Sequence, residues 1–312
     1  MNTTDERRAM IRFMAAMLIW GSIGIFRRSI PMPSAFLAFA RGILGGLSLL
    51  AYVRLRGRHV FRQLPRRMLL RFGATGALIG FNWMLLFEAY NHTTVSVATL
   101  CYYMQPTIVM LLSPLVFGER MTGKKACCAL LSVLGMVLVS GVIGERESGA
   151  GNLTGILMGL GAASLYACVV MLNKRAPEAD ATQRTVIQLL FAGLVMIPYL
   201  AATGGWTGIT LTPGPLLLLL VVCVLHTGVA YALYFGSMTG LKVQTVAVLS
   251  YLDPVSAILF SAAFLREPLS PVNCLGAALI IGAALVSEIQ WKDPGRRTEQ
   301  GNRREAVRDR EP

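Results

Sequence analysis

The sequence predicts an all-α integral membrane protein with ten transmembrane helices, arranged as two five-helix repeats of inverted topology. Three observations carry that prediction: the composition, the sorting of charge between loops, and an internal duplication. The chain of 312 residues is 54% hydrophobic and only 14% charged, with a mean hydropathy of +0.59. A soluble domain carries roughly 25% charged residues. The apolar runs reach the ~20 residues that a helix needs to cross a bilayer.

Taken in order, the apolar segments fall at 9–29, 33–54, 70–91, 94–117, 123–143, 153–173, 183–203, 214–237, 243–265 and 271–290. Short loops separate them, which favours helices over barrel strands. The first follows "MNTTDERRAM" and has a charged start, but no small-residue cleavage site leads on to a soluble domain. It is therefore expected to be a retained helix and not a removed signal. With the N-terminus in the cytoplasm, 24 Lys and Arg fall on that side. Four (Arg27, Arg28, Arg146 and Arg266) fall on the other, and Arg41 lies within the second segment. That skew is what the positive-inside rule demands. It predicts a multi-pass protein of the cell inner (plasma) membrane with both termini cytoplasmic. The net charge of +13 is then topology and not a nucleic-acid footprint, so the expected partners are the lipid bilayer and a small-molecule substrate. The oligomeric state is left open.

The duplication appears when "WMLLFEAYNHTTVSVATLCYYMQPTIVMLLSPLVFGERMT" (83–122) is set above "YALYFGSMTGLKVQTVAVLSYLDPVSAILFSAAFLREPLS" (231–270), at a constant offset of 148 residues. Trp83 matches Tyr231, Phe87 matches Phe235, Val95 matches Val243, Pro106 matches Pro254 and Glu119 matches Glu267. Five helices per copy is an odd number, so the second copy enters the membrane upside down. The organisation is then a cytoplasmic N-terminus at 1–8, a first repeat at 9–143, a linker at 144–152, a second repeat at 153–290 and a disordered, mixed-charge cytoplasmic tail at 291–312. Inverted repeats of this kind are the architecture of secondary transporters, with a site near the midplane where the halves meet.

Three markers recur at the one offset or accompany it: the junctions Glu119 to Thr122 and Glu267 to Ser270, the mid-helix prolines Pro106 and Pro254, and the pair Asn82-Trp83. With them the chain resembles the ten-helix, EamA-like branch of the drug/metabolite transporter superfamily, from Met10 to Glu288. The resemblance implies transport of small metabolites, often export of amino acids or related amines. It also implies a cavity lined by helices one, three, four, six, eight and nine.

The candidate site is read from polar residues inside the spans. Pro106 and Pro254 each sit about twelve residues into their helices, where each removes an N–H and frees a carbonyl one turn back. They are packing kinks or breaks that flank a cavity, and their equivalence favours the second. Asp253 precedes Pro254 as Gln105 precedes Pro106. Asp253 is a substrate-ammonium or proton site, or it caps the half-helix that proline restarts. Ser250 shares a face with Asp253, as Tyr102 does with Gln105. Glu88 has three readings: cavity-facing, paired with His92 or Arg41, or interfacial. Trp20, Asn82, Trp83, Tyr102, Tyr103, Tyr166, His226, Tyr231 and Tyr234 supply aromatic and hydrogen-bonding surface, either to a cavity that takes ammonium groups or to interfacial belts.

No catalytic residue, cofactor or metal is expected. All six cysteines lie in apolar runs without C-x-x-C spacing, and the three histidines are scattered. The glycines around Gly161 lie inside a span with no following Lys-Ser/Thr, so a phosphate loop is rejected. The expected function is a secondary transporter exporting small metabolites such as amino acids or amines by alternating access. Two alternatives stand beside it: a carrier of organic anions or phosphorylated sugars, with Arg41 on the substrate, and a membrane enzyme acting on lipid-linked substrates. The enzyme would want clustered carboxylates or a nucleophile–base pair at one membrane face, and the sequence offers neither.

Overall fold

The computed structural model describes residues 3–60, 64–118, 121–139, 150–174, 180–238 and 240–288. Among them every regular element is helical and no strand occurs. In chain order the helices are α1 (Asp5–Arg28), α2 (Ser34–Leu55), α3 (Arg66–His92) and α4 (Val95–Phe117). A shorter α5 (Gly123–Val139) follows, then α6 (Asn152–Lys174), α7 (Ala181–Thr203) and α8 (Pro213–Met238). α9 is built of Val243–Ser250, Leu252–Phe260 and a π turn at Ser261–Leu265, and α10 spans Pro271–Glu288. Eight of these segments have the length and apolar character to cross a membrane. Glu119, most of the expected linker at 144–152 and the tail at 291–312 lie outside the described residues.

The burial pattern is inverted relative to a soluble bundle. Leu55, Leu115 and Phe264 are exposed on the outside, whereas Arg41, Asn82, Gln188 and His226 are buried. Acyl chains offer no hydrogen bonds, so leucines can face them while polar groups turn inward to find partners. With no hydrophobic force between helices in lipid, close packing and polar contacts must hold the bundle. Two glycine contacts provide the first. A Cβ on Gly42 of α2 would lie 2.6 Å from the Cα of Gly193 in α7, and one on Gly135 of α5 would lie 2.7 Å from the carbonyl oxygen of Gly276 in α10. Polar clasps provide the second: Asn82 Nδ2 of α3 donates to the Ala162 carbonyl of α6 at 2.5 Å. Gln188 Nε2 of α7 donates to Thr75 Oγ1 at 2.6 Å and to Asn173 Oδ1 at 2.8 Å. Such bonds contribute about 0.6 kcal/mol each in a membrane.

The two helices that carry the expected prolines are both interrupted. α4 runs from Val95 to Tyr102, turns, and restarts at Gln105 with Pro106 in its first turn. α9 runs from Val243 to Ser250, turns at Tyr251, and restarts at Leu252 with Pro254 in its first turn. Proline is tolerated there because a first-turn N–H has no intrahelical partner to lose. Asp253 lies in that first turn, and the residue preceding the restarted segment is Tyr251, with no side-chain cap bond. Two further irregularities face each other: π turns at Arg41–Gly45 of α2 and Val224–Val229 of α8. Single π turns insert an extra residue into a helix and re-aim its side chains. Here they bring Arg41 Nε to Thr227 Oγ1 at 2.9 Å.

Candidate functional site

A cavity of about 380 Å³ lies inside the bundle where the interrupted segments of α4 and α9 meet. Its walls come from α1, α3, α4, α6, α8 and α9, and also from α2 and α7, which the sequence had not placed there. α2 contributes Arg41, and α7 contributes Arg184, Thr185, Gln188 and Leu189.

Besides Arg184 at its end, two ionisable side chains face it from the helices inside the bundle. Arg41 is only 6% exposed, and its guanidinium carbon sits 4.0 Å from the centre of the Trp83 ring. Apart from the Nε bond to Thr227, its guanidinium makes no hydrogen bond to a described residue, and no described carboxylate comes within 4.0 Å. Asp253 stands on the same cavity wall, with Oδ2 accepting from the Tyr103 hydroxyl. That bond joins the break of α4 to the break of α9. No described cation lies within salt-bridge distance of Asp253 either. An Arg and an Asp thus share one enclosed space without meeting, an arrangement that burial penalises unless something bridges them.

Aromatic rings fill the wall between. Trp20 donates Nε1 to the His226 carbonyl at 2.9 Å, which fixes its indole. Its ring centre then lies 5.0 Å from Tyr231 and 5.3 Å from Tyr234. On the other side Tyr102 packs 5.9 Å from both Tyr103 and Tyr166. Gln105 and Ser250 also face the cavity, Ser250 with its hydroxyl turned back to the Val246 carbonyl at 2.8 Å. Of the residues singled out in the sequence, Trp20, Trp83, Tyr102, Gln105, Tyr166, Tyr231, Tyr234, Ser250 and Asp253 therefore stand on one surface.

Three do not. Asn82 is fully buried in its clasp with Ala162, one residue along α3 from Trp83 and so on another face. His226 is buried behind Trp20, with Nε2 2.9 Å from Ser22 Oγ and its ring 4.8 Å from Phe26. Glu88 lies near the end of α3, where Oε2 accepts from Ser34 Oγ at 2.6 Å and from Asn91 at 3.1 Å. Its Oε1 is 3.4 Å from His92 Nε2, and about a third of its side chain is exposed. Arg27 reaches the same group by donating to Ser34 Oγ at 2.9 Å. Arg41 is thus not the partner of Glu88. Sequence reasoning left Arg41 either as a partner of Glu88 or on the substrate of an anion carrier, and gave Arg184 to the topology count. The cavity wall includes Arg41, which agrees with the second of these, and Arg184, which sequence reasoning missed.

Near Glu88, at the same end of the bundle, a second carboxylate joins α4 to the segment that follows α9. Glu267, in the segment between α9 and α10, accepts from the Val95 and Ser96 backbone N–H groups at 2.7 and 3.1 Å and from Ser96 Oγ at 3.1 Å. These are the first, otherwise unpartnered amides of α4, where a carboxylate also meets the positive end of the helix dipole. Ser96 and Ser261 hydroxyls lie 2.6 Å apart, and Arg28 donates to the Thr93 carbonyl at 2.6 Å. At the other end the cavity wall reaches Asn173 and Arg184, at the end of α6 and the start of α7. A larger space of about 790 Å³ lies sideways between α4, α9 and α10. Among the described residues its walls hold no carboxylate, Tyr or Trp, so the smaller cavity, with its buried ionisable groups, is the candidate site.

The family model described as "EamA-like transporter family" matches this chain twice, over residues 7–141 and 153–288. Among curated relatives, an uncharacterized transporter of Bacillus subtilis, YxxF, is 25% identical over 300 residues, covering 96% of each chain. The threonine/homoserine exporter RhtA of Escherichia coli is 27% identical over 289 residues, covering 90% of each. A solved crystal structure, 22% identical, superposes with a TM-score of 0.62 over 90% of this chain and 96% of that one. It shares the fold.

Proposed function

The chain belongs to the EamA-like transporter family, and on that premise we propose that it moves small zwitterionic metabolites, amino acids or close relatives, by alternating access between two inverted five-helix repeats. The observation that carries the reading is the pair Arg41 and Asp253, which face one cavity without meeting each other or another described counter-charge. An uncompensated buried charge costs several kcal/mol. A zwitterion compensates both ends at once, its carboxylate on Arg41 and its ammonium on Asp253. Its side chain meets the Trp20, Tyr231 and Tyr234 wall, and an ammonium that also lies over a ring face there gains ~0.5–2 kcal/mol. A plain amine leaves Arg41 unmatched, and a plain acid leaves Asp253 unmatched. The resemblance to a named threonine/homoserine exporter supports the same class.

The bonds of Glu267 describe one state of the cycle: closed at the Glu88 end and reached from the Arg184 end. The charge skew favours a cytoplasmic Arg184 end, and in that orientation this is the state that loads an export substrate. Transport then requires Glu267 to release the start of α4 while the Arg184 end closes. Arg184 at that mouth favours a second reading, a carrier of organic anions, since it adds a second cation to the cavity wall. Counterflow in proteoliposomes separates the two. Radiolabelled neutral amino acids should exchange, and Asp253→Asn should abolish that exchange at normal protein yield. Exchange of dicarboxylates that survives Asp253→Asn and dies with Arg41→Gln would favour the anion carrier.

A further inference from the structure

Between α1, α2 and α8, apart from the central cavity, a cleft of about 410 Å³ opens on the side of the bundle. Its long wall is apolar, made by Val224, Val229, Ala232 and Leu233 of α8, with Val224 and Val229 exposed. Gly236 leaves room in that wall: a Cβ there would find Tyr52 Oη at 4.0 Å and nothing nearer. One end of the cleft carries Arg12 of α1 and Arg56 just past α2. Arg56 lies 5.5 Å from the Tyr52 ring centre, both arginines are exposed, and neither has a described carboxylate within 4.0 Å. Both also stand at the end of the bundle where the chain begins, the side toward which the Lys and Arg are skewed.

We propose that this cleft is a seat for an anionic phospholipid. The apolar wall runs along membrane-spanning helices, where the medium is acyl chain and not water. The two arginines sit at its headgroup end, the placement in which basic pockets between membrane helices take anionic headgroups. The phosphate rests between Arg12 and Arg56, and one acyl chain lies along Val229, Leu233 and Gly236. Phosphatidylcholine brings its own cation toward the two arginines and is the poorer occupant. Free phosphate has nothing to place on the apolar wall.

The test is native mass spectrometry of the full chain in detergent, titrated with phosphatidylglycerol or phosphatidylcholine of matched acyl chains, or with inorganic phosphate. Phosphatidylglycerol should be retained as a single adduct at least tenfold more tightly than phosphatidylcholine, with no adduct from phosphate alone. The double variant Arg12→Gln/Arg56→Gln should bind phosphatidylglycerol about thirtyfold more weakly, since each basic residue near a membrane surface contributes about a fivefold factor. Gly236→Leu, beside Tyr52, narrows the cleft where the apolar wall meets the arginines and keeps both cations, so it should lose phosphatidylglycerol and phosphatidylcholine alike. Equal retention of the two lipids by the unaltered protein would overturn the proposal. So would undiminished phosphatidylglycerol binding in both variants, or an adduct with phosphate alone as tight as the lipid.

Discussion

Glu88 and Asp253 are both carboxylates within long apolar helices, yet their surroundings differ. Glu88 is satisfied by Ser34, Asn91 and His92 near the end of α3. Asp253 has the Tyr103 hydroxyl and the cavity. Exchange of Glu88 for Gln should therefore leave transport within about twofold, because hydrogen bonds to this partly exposed group contribute ~0.5–1.5 kcal/mol to stability and lie away from the cavity wall. Initial transport rates measured beside Asp253→Asn check this, and a loss in Glu88→Gln as deep as in Asp253→Asn would return Glu88 to the transport path. Much of the candidate cavity's lining was legible residue by residue. An Asp, a Gln and several Tyr and Trp deep in apolar segments have few reasons to be there other than an enclosed polar space. What could not be read was rotation about each helix axis. Asn82 and Trp83 are neighbours in sequence and take different faces, and no periodicity over one residue could separate them.

At the scale of the helix, breaks and close contacts do the positioning. The equivalence of Pro106 and Pro254 foretold paired interruptions, and these occur at 103–104 and at 251, within one turn before each proline. The π turns of α2 and α8 left no such mark, because an extra residue per turn has no composition of its own. They nevertheless set Arg41 against Thr227. Close packing gives a clean contrast of substitutions. Gly42→Val should cut folded yield severely, since the backbone of Gly193 cannot move aside, whereas Gly282→Ala meets nothing within 4 Å and should leave it unchanged. Size-exclusion profiles and melting temperatures in detergent check the pair. Glu267 makes a further prediction. Its hydrogen bonds are charge-assisted, at ~1.5–3 kcal/mol each in favourable cases. Glu267→Gln should thus raise labelling of Thr99→Cys by a membrane-impermeant thiol reagent added from outside by tenfold or more. Unchanged labelling would mean that Glu267 does not hold that end closed.

For the whole molecule, charge sorting and duplication said more than any single motif. The skew of Lys and Arg predicts 56–59 inside and 204–208 outside, so cysteines introduced there should be labelled in intact cells only at the second. The family model's two matches agree with a duplicated chain, and the cavity lies where the halves meet. The central claim is that this cavity is bipolar, with Arg41 for a carboxylate and Asp253 for an ammonium. Equilibrium binding of one neutral amino acid, its decarboxylated amine and its deaminated acid to purified protein tests it most directly. The amino acid should bind tightest. Arg41→Gln should erase its advantage over the amine, and Asp253→Asn its advantage over the acid. Equal binding of all three by the unaltered protein, or an acid bound tightest and indifferent to Asp253→Asn, would contradict the account.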